Sequence, residues 1–194
     1  MELALDLTKQ YTYADYLTWM DDKTRELING FINMMSAPRP IHQEINYNIL
    51  GNLWTILKKN KAKCKVYPAP FDVRFPKNGE TADDKIYTVV QPDISIICDL
   101  SKIDDKGCCG APDMIIEILS PSTNKKDVTE KFNLYEEHGV KEYWVVHPDS
   151  KAINVYLLQN NGKYDAGTLY EFVEKIPVNI FNNYCINMND IFNV

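Results

Sequence analysis

The sequence predicts a mixed α/β protein whose core runs helix, three strands, helix, strand, an αβββαβ order. Three observations predict it. The stretch Ile41 to Lys59 carries Ile45, Ile49, Leu53 and Ile56-Leu57 at the spacing of one helical face. Two apolar runs, Tyr87 to Cys98 and Met114 to Leu119, read as strands, the second continuous enough to be covered on both faces. After the second run, Val128, Phe132 and Tyr135 recur at i, i+4 and i+7, Gly139 stands where a helix ends, and Val140 to His147 returns as a strand.

Each element has a local reason. Thr12 with Asp15 three residues on is a capping box, which starts a short helix over Tyr13 to Met20. Arg25 to Ile28, Asn29-Gly30 and Phe31 to Met34 form a hairpin signal, because Asn-Gly suits a type I′ turn. Ser36 to Pro40 breaks the chain before the long helix. Cys64 to Phe75 is extended but interrupted by Pro68 and Pro70, which places it at an edge or a bulge. Pro76 to Lys85 is polar loop, and Ser101 to Gly110 is also expected to be loop. Ser120 to Thr123 supplies caps for the second helix. Ile153 to Leu158, Asn161-Gly162 and Tyr164 to Val173 read as a further hairpin, and the remainder as a tail.

A chain of 194 residues with 45% hydrophobic and 25% charged residues fits one globular domain spanning 1–194. Residues 1–40 would form the N-terminal helix and hairpin, 41–148 the core, and 149–194 the C-terminal hairpin and tail. No apolar run could span a bilayer, and the N-terminus lacks the pattern of a signal peptide, so a cytoplasmic location without membrane contact is expected. Five cysteines without C-x-x-C spacing argue against a disulfide framework or a structural zinc, and reduced thiols are expected. The net charge of −6 and pI near 5.1 count mildly against nucleic acid as partner. Lys58, Lys59, Lys61 and Lys63 read more readily as a solvated helix end than as a DNA contact.

Two strands each carry one acid in an apolar setting, Asp93 and Glu117, and Lys131 shares the inward face of the following helix. A carboxylate in such a strand is costly unless it is paired, protonated or bound to a cation. If the strands are neighbours, the two acids can converge on Mg²⁺, or on Mn²⁺ in its place, both of which take oxygen ligands and retain water. Lys131 could then orient or deprotonate an attacking water, or neutralise charge on phosphorus. The plain alternative is a buried Glu117–Lys131 ion pair. Other candidates rank lower: Asp113 reads as a strand-end charge, Ser120 and Ser122 as caps, Cys108-Cys109 as loop thiols, and Tyr143 and Trp144 as strand packing, with base stacking the lesser alternative. A two-carboxylate glycosidase would need a sugar cleft and an aromatic platform, which nothing in the sequence supplies.

The order of these elements resembles the PD-(D/E)XK nuclease superfamily and, within it, the putative restriction endonuclease (Uma) family. The matching blocks are Arg25-Glu-Leu-Ile-Asn-Gly, Gln91-Pro-Asp-Ile-Ser-Ile-Ile, Ala111-Pro-Asp-Met-Ile-Ile-Glu-Ile-Leu-Ser-Pro-Ser, Asp127 with Lys131-Phe132 and Tyr135, and Gly139-Val-Lys-Glu-Tyr-Trp-Val-Val-His-Pro. The resemblance as a whole runs from about Tyr11 to Phe192. The resemblance implies a restriction-endonuclease-like fold and an Mg²⁺-dependent endonuclease that hydrolyses DNA, with Asp93 and Glu117 as metal ligands. The lysine that the wider superfamily places two residues after the acid is Leu119 here, and the family's compensating lysine matches Lys131. Glu26 matches an N-terminal acid that reaches the metal through water; read as residues alone, it is equally an exposed hairpin charge. His147 stands where an aspartate is common. An inactive nuclease-like scaffold that binds nucleic acid or protein is the alternative function. Cutting both strands of a duplex would call for two sites, which makes a C₂ homodimer a reasonable expectation, though no segment singles out an interface.

Overall fold

Two six-stranded sheets meet along a seam, and the candidate residues lie at it. The computed structural model describes residues 4–120, 125–171, 174–182 and 184–192. The expected helix caps Pro121, Ser122 and Thr123 lie outside the described residues.

The first element, α1 (Tyr13–Tyr16), carries the expected capping box of Thr12 and Asp15. It stops short of Met20 as the chain turns to set Trp19 edge-on against Tyr11, ring centroids 5.2 Å apart. The hairpin of β1 (Arg25–Ile28) and β2 (Phe31–Met34) turns through Asn29 at φ 52° and Gly30 at φ 84°, the left-handed pair that a type I′ turn needs. The long helix α2 (Pro40–Asn60) starts with proline at its first position and leads to β3 (Lys65–Pro68) and β4 (Val73–Arg74).

The run expected as one strand, Tyr87 to Cys98, is two: β5 (Val89–Val90) and β6 (Ile94–Ile97), which belong to different sheets. Pro92 has no N–H to give to a ladder, and Gln91-Pro92-Asp93 carries the chain from one sheet to the other. The segment expected as loop contains a hairpin, β7 (Ile103–Asp104) and β8 (Gly107–Cys109). Its strands are too short to alternate visibly, and β8 is held by parallel pairing with β4.

There follow β9 (Met114–Ile118), α3 (Lys125–His138), β10 (Glu142–His147), β11 (Ala152–Leu157) and β12 (Thr168–Tyr170). The expected tail instead forms a second small hairpin, β13 (Lys175–Pro177) and β14 (Cys185–Asn187), and a last helix, α4 (Met188–Phe192). That helix packs on α2, where Asn48 donates to the Ile191 carbonyl at 3.0 Å.

The first sheet has the order β2-β1-β5-β4-β8-β7 and the second β12-β11-β10-β9-β6-β3. In the second, β9 and β10 run parallel, joined through α3, while β6 and β9 run antiparallel. Strand alternation divides the core. Met114, Ile116 and Ile118 of β9 pack with Ile45, Ile49 and Leu53 of α2. Ile115 lies on the opposite face, with Leu134 and Tyr135 of α3, Val73 and Val90 of the first sheet, and Phe75 just after β4. Glu117, two residues beyond Ile115, shares that second face.

The expectation of reduced thiols fails for one pair. The β3–β6 register sets Lys65 opposite Ile97, and the next residues outward, Cys64 and Cys98, form a disulfide. Cys108, Cys109 and Cys185 are free. Among the described residues no helix is long and apolar enough to cross a membrane.

Candidate functional site

Four side chains from three elements and one crossover converge at the seam. Glu117 projects from β9 toward α3, and Lys131 on α3 donates to its Oε1 at 2.9 Å. The same ammonium donates to Oε1 of Glu26 on β1 at 3.0 Å, so one lysine ties the first sheet to the second. Asp93 immediately precedes β6. The β6–β9 register pairs Ile94 with Ile116, which sets Asp93 beside Glu117 one step outward. The backbone N–H of Ile118 donates to Asp93 Oδ2 at 2.7 Å and fixes that carboxylate against β9.

Glu26 is not the exposed hairpin charge that its position allowed. It is 1% exposed, and besides Lys131 its Oε1 accepts the Gln91 backbone N–H at 2.9 Å. The Gln91 side chain donates in turn to Asp72 at 2.8 Å, and Asp72 also accepts from the Tyr13 hydroxyl at 2.8 Å.

Two members of the site escaped the reading of residue types. His42, on the first turn of α2, lies 3.2 Å through Nε2 from Asp93 Oδ2. As one of three scattered histidines it gave no signal. Tyr135 was legible as core, but its hydroxyl donates to Glu117 Oε1 at 2.5 Å. Its place four residues after Lys131, on the same helical face, was the available clue.

The lower-ranked candidates stay apart from the site. Asp113 begins β9 as a structural acceptor, taking the Cys98 N–H at 2.7 Å and the Lys141 ammonium at 2.6 Å. Trp144 and Tyr143 are fully buried, which removes them from any stacking role. Cys108 is buried and its thiol is pushed up to about 12 by that burial, and burial likewise raises Cys109, so neither is an activated thiolate. His147 pairs with Asn154.

The site's electrostatics follow from its burial. Desolvation raises the Glu117 carboxyl to about 7; Lys131 opposes this, while Asp93 and Glu26 add to it. For Lys131, burial lowers the ammonium's affinity for its proton, but facing Glu117 and Glu26 more than offsets this and holds it above the ordinary lysine range. Burial, and then the Glu117 charge, keep Tyr135 a protonated donor. Burial also opposes the His42 imidazolium, yet its bond to Asp93 and the nearby Glu117 leave it above the ordinary histidine range.

A cation fits this donor set in one particular way. Among the described residues no three or more His, Cys, Asp or Glu side chains form a metal-holding group, so a closed protein cage is absent there. Two carboxylates, however, each keep an oxygen clear. Lys131 and Tyr135 both bond Glu117 at Oε1, and Ile118 and His42 both engage Asp93 at Oδ2. Glu117 Oε2 and Asp93 Oδ1 accept nothing among the described residues, and these side chains remain 12% and 15% exposed. That is the donor set of an ion such as Mg²⁺ that keeps several waters.

Comparison with known proteins gives the site its context. No curated protein matches the chain. A crystal structure of a putative nuclease belonging to DUF820 from Anabaena variabilis shares the fold with a TM-score of 0.74. The two are 20% identical, and the match covers 94% of this chain and 98% of the other. The Uma2 family, described as putative restriction endonuclease, matches residues 13–189, a span that holds both sheets' site-bearing strands and both long helices. A match over nearly the whole chain places this protein in the Uma2 family of putative restriction endonucleases.

Proposed function

We propose that this protein is a divalent-metal-dependent endonuclease that hydrolyses DNA phosphodiester bonds, with Asp93 and Glu117 holding Mg²⁺, or Mn²⁺ in its place, and Lys131 assisting the attacking water. The supporting observation is the pairing of two carboxylates from adjacent strands, each with one oxygen clear, beside a lysine kept protonated. A divalent cation bound there would supply polarisation of a phosphoryl oxygen and a water of lowered pKa.

The chain's own groups divide the remaining work. In hydrolysis the water oxygen bonds to phosphorus as the bond to the leaving sugar oxygen breaks; the attacking water gives its proton to solvent, the sugar oxygen takes one from solvent, and negative charge is carried on the non-bridging oxygens. Lys131 spends two of its three N–H donors on Glu26 and Glu117, leaving a third for the water or a phosphoryl oxygen. Held protonated, it orients the water and neutralises charge; it does not take the water's proton. Glu26 and Tyr135 are positioning residues, one fixing the ammonium and the other the Glu117 carboxylate. His42 does the same for Asp93 by holding Oδ2 and leaving Oδ1 free to coordinate.

The alternative, an inactive scaffold, draws on the same ion network: Glu26–Lys131–Glu117 is self-sufficient as a buried bridge. Calorimetric titration with Mn²⁺ separates the two. The nuclease reading expects binding heat that disappears in Asp93→Ala and Glu117→Ala, and Mg²⁺-dependent DNA cleavage lost in the same variants. Absence of both heat and cleavage in the wild type would favour the scaffold.

A further inference from the structure

The C-terminal end of α2 carries a second surface. No Asp or Glu occurs between Glu44 and Asp72, whereas Lys58, Lys59, Lys61, Lys63 and Lys65 crowd the helix end and the start of β3. All five are exposed in a protein whose net charge is −6. Among the described residues none of them pairs with a carboxylate. The lysines surround a groove of about 280 Å³ lined by Trp54, Leu57, Lys58, Lys65, Val66 and Tyr67. Trp54 is 54% exposed, a large aromatic ring on the same helix face as the exposed Tyr47 two turns earlier, with the Lys58 ammonium 5.3 Å from its centroid. The groove follows β3, the last strand of its sheet.

An exposed indole amid unpaired lysines matches a ligand that offers both a planar π-face and a run of negative charge. We infer that this groove binds a single-stranded segment of nucleic acid, one base stacking on Trp54 while Lys58, Lys65 and the flanking lysines hold its phosphates. A duplex keeps its bases stacked inside and offers the indole no face. A second copy of the chain would bring five like charges against five, with no acid in the patch to balance them. The surface is also connected to the cleavage site. His42, at the other end of α2, touches Asp93, and Lys58 lies roughly 24 Å farther along the same helix axis. A strand anchored here could extend to the seam. The inference rests on the nuclease reading for its polyanion, but binding can be measured without cleavage.

The test is fluorescence anisotropy in EDTA with a labelled thymidine oligonucleotide of about twelve nucleotides and a duplex of equal length. The wild type is expected to prefer the single strand and to lose tryptophan emission on binding, since Trp144 is buried and Trp54 is the most exposed indole. Trp54→Ala should weaken binding roughly fivefold to a hundredfold. Lys58→Glu/Lys65→Glu should weaken it further and flatten the salt dependence. Should that pair perturb the far-ultraviolet dichroism, Lys58→Gln/Lys65→Gln serves in its place. Asp93→Ala should bind as the wild type does, so failure of the nuclease reading would leave this result intact. Wild-type affinity in Trp54→Ala, equal binding of duplex and single strand, or sedimentation showing a dimer that Trp54→Ala dissolves would each overturn the inference.

Discussion

Removing the Lys131 ammonium would leave Glu117 and Glu26 sharing a pocket with no cation between them. Breaking a buried pair from one side typically costs about 3–5 kcal/mol, because the partner charge stays buried. Here two carboxylates lose one partner, although protonation of Glu117, already held high by desolvation, relieves part of the loss. Lys131→Met is therefore expected to destabilise the fold by about 3 kcal/mol, measured as a lowered urea midpoint. Adding Glu26→Gln should recover part of it. Tyr135→Phe removes one hydroxyl donor to Glu117 and should cost only about 1–2 kcal/mol. If Lys131→Met proves as mild as Tyr135→Phe, the bridge is not what holds the two sheets together here. At this scale the sequence was partly readable. Asp93, Glu117 and Lys131 stood out as charges in apolar patterns, and helical spacing turned Lys131 inward. Glu26 stood out only through the family resemblance, because as residues Arg-Glu-Leu-Ile before Asn-Gly looks like any hairpin arm. His42 became visible only once α2 was placed over the crossover that carries Asp93.

The elements show where periodicity informs and where it falls silent. The capping box, the Asn-Gly turn and the two long helices were legible, since each is specified by neighbours within a few residues. The split of Tyr87 to Cys98 between sheets was hidden, because both halves are apolar and only Pro92 marks the crossing. The β7–β8 hairpin was hidden too, since its stability comes from β4 rather than from its own sequence. Gly107 shows that dependence: at φ 126° its missing Cβ would stand 2.2 Å from the Asp72 carbonyl oxygen. Gly107→Ala must displace the backbone at Asp72, whose side chain supports Gln91 and so Glu26. A loss of about 3 kcal/mol or more is expected in denaturant unfolding. The end of α3 makes a different prediction. His138 lies tilted against Phe75, ring centroids 4.6 Å apart, and its buried Nε2 has no partner among the described residues. Burial lowers its pKa, Lys77 adds to the effect and Glu137 opposes it. The unfolded chain then takes up the proton first, so this contribution is complete above the ordinary histidine pKa of about 6.5 and is lost as pH falls through it. His138→Leu should thus lose less stability than the wild type between pH 7.5 and 5.5, compared by urea midpoints. An equal loss in both would show that His138 is not strained by protonation.

For the molecule as a whole, the proposed metal site would couple cation binding to folding. Asp93 stands at a crossover between sheets and Glu117 in the central strand of one of them, so the unfolded chain cannot present the two together. A cation that binds only the folded state stabilises it by about 2.7 kcal/mol at a hundred times its dissociation constant. For a chain of this length each kcal/mol moves the melting temperature by about 2–4 °C, so saturating Mn²⁺ should raise it by about 5–10 °C. The gain should exceed that of an ion that merely screens surface charge, since it also offsets the desolvation and the Asp93 charge that raise Glu117. Asp93→Asn should melt at the same temperature with and without Mn²⁺, while Trp54→Ala, far along α2, should keep the full increment. An equal rise in wild type and Asp93→Asn would place the ion elsewhere and leave the seam as an ion-pair lock between two sheets. A rise confined to proteins that retain both carboxylates would tie the ion to the same pair on which the hydrolytic reading depends, in a measurement that involves no substrate.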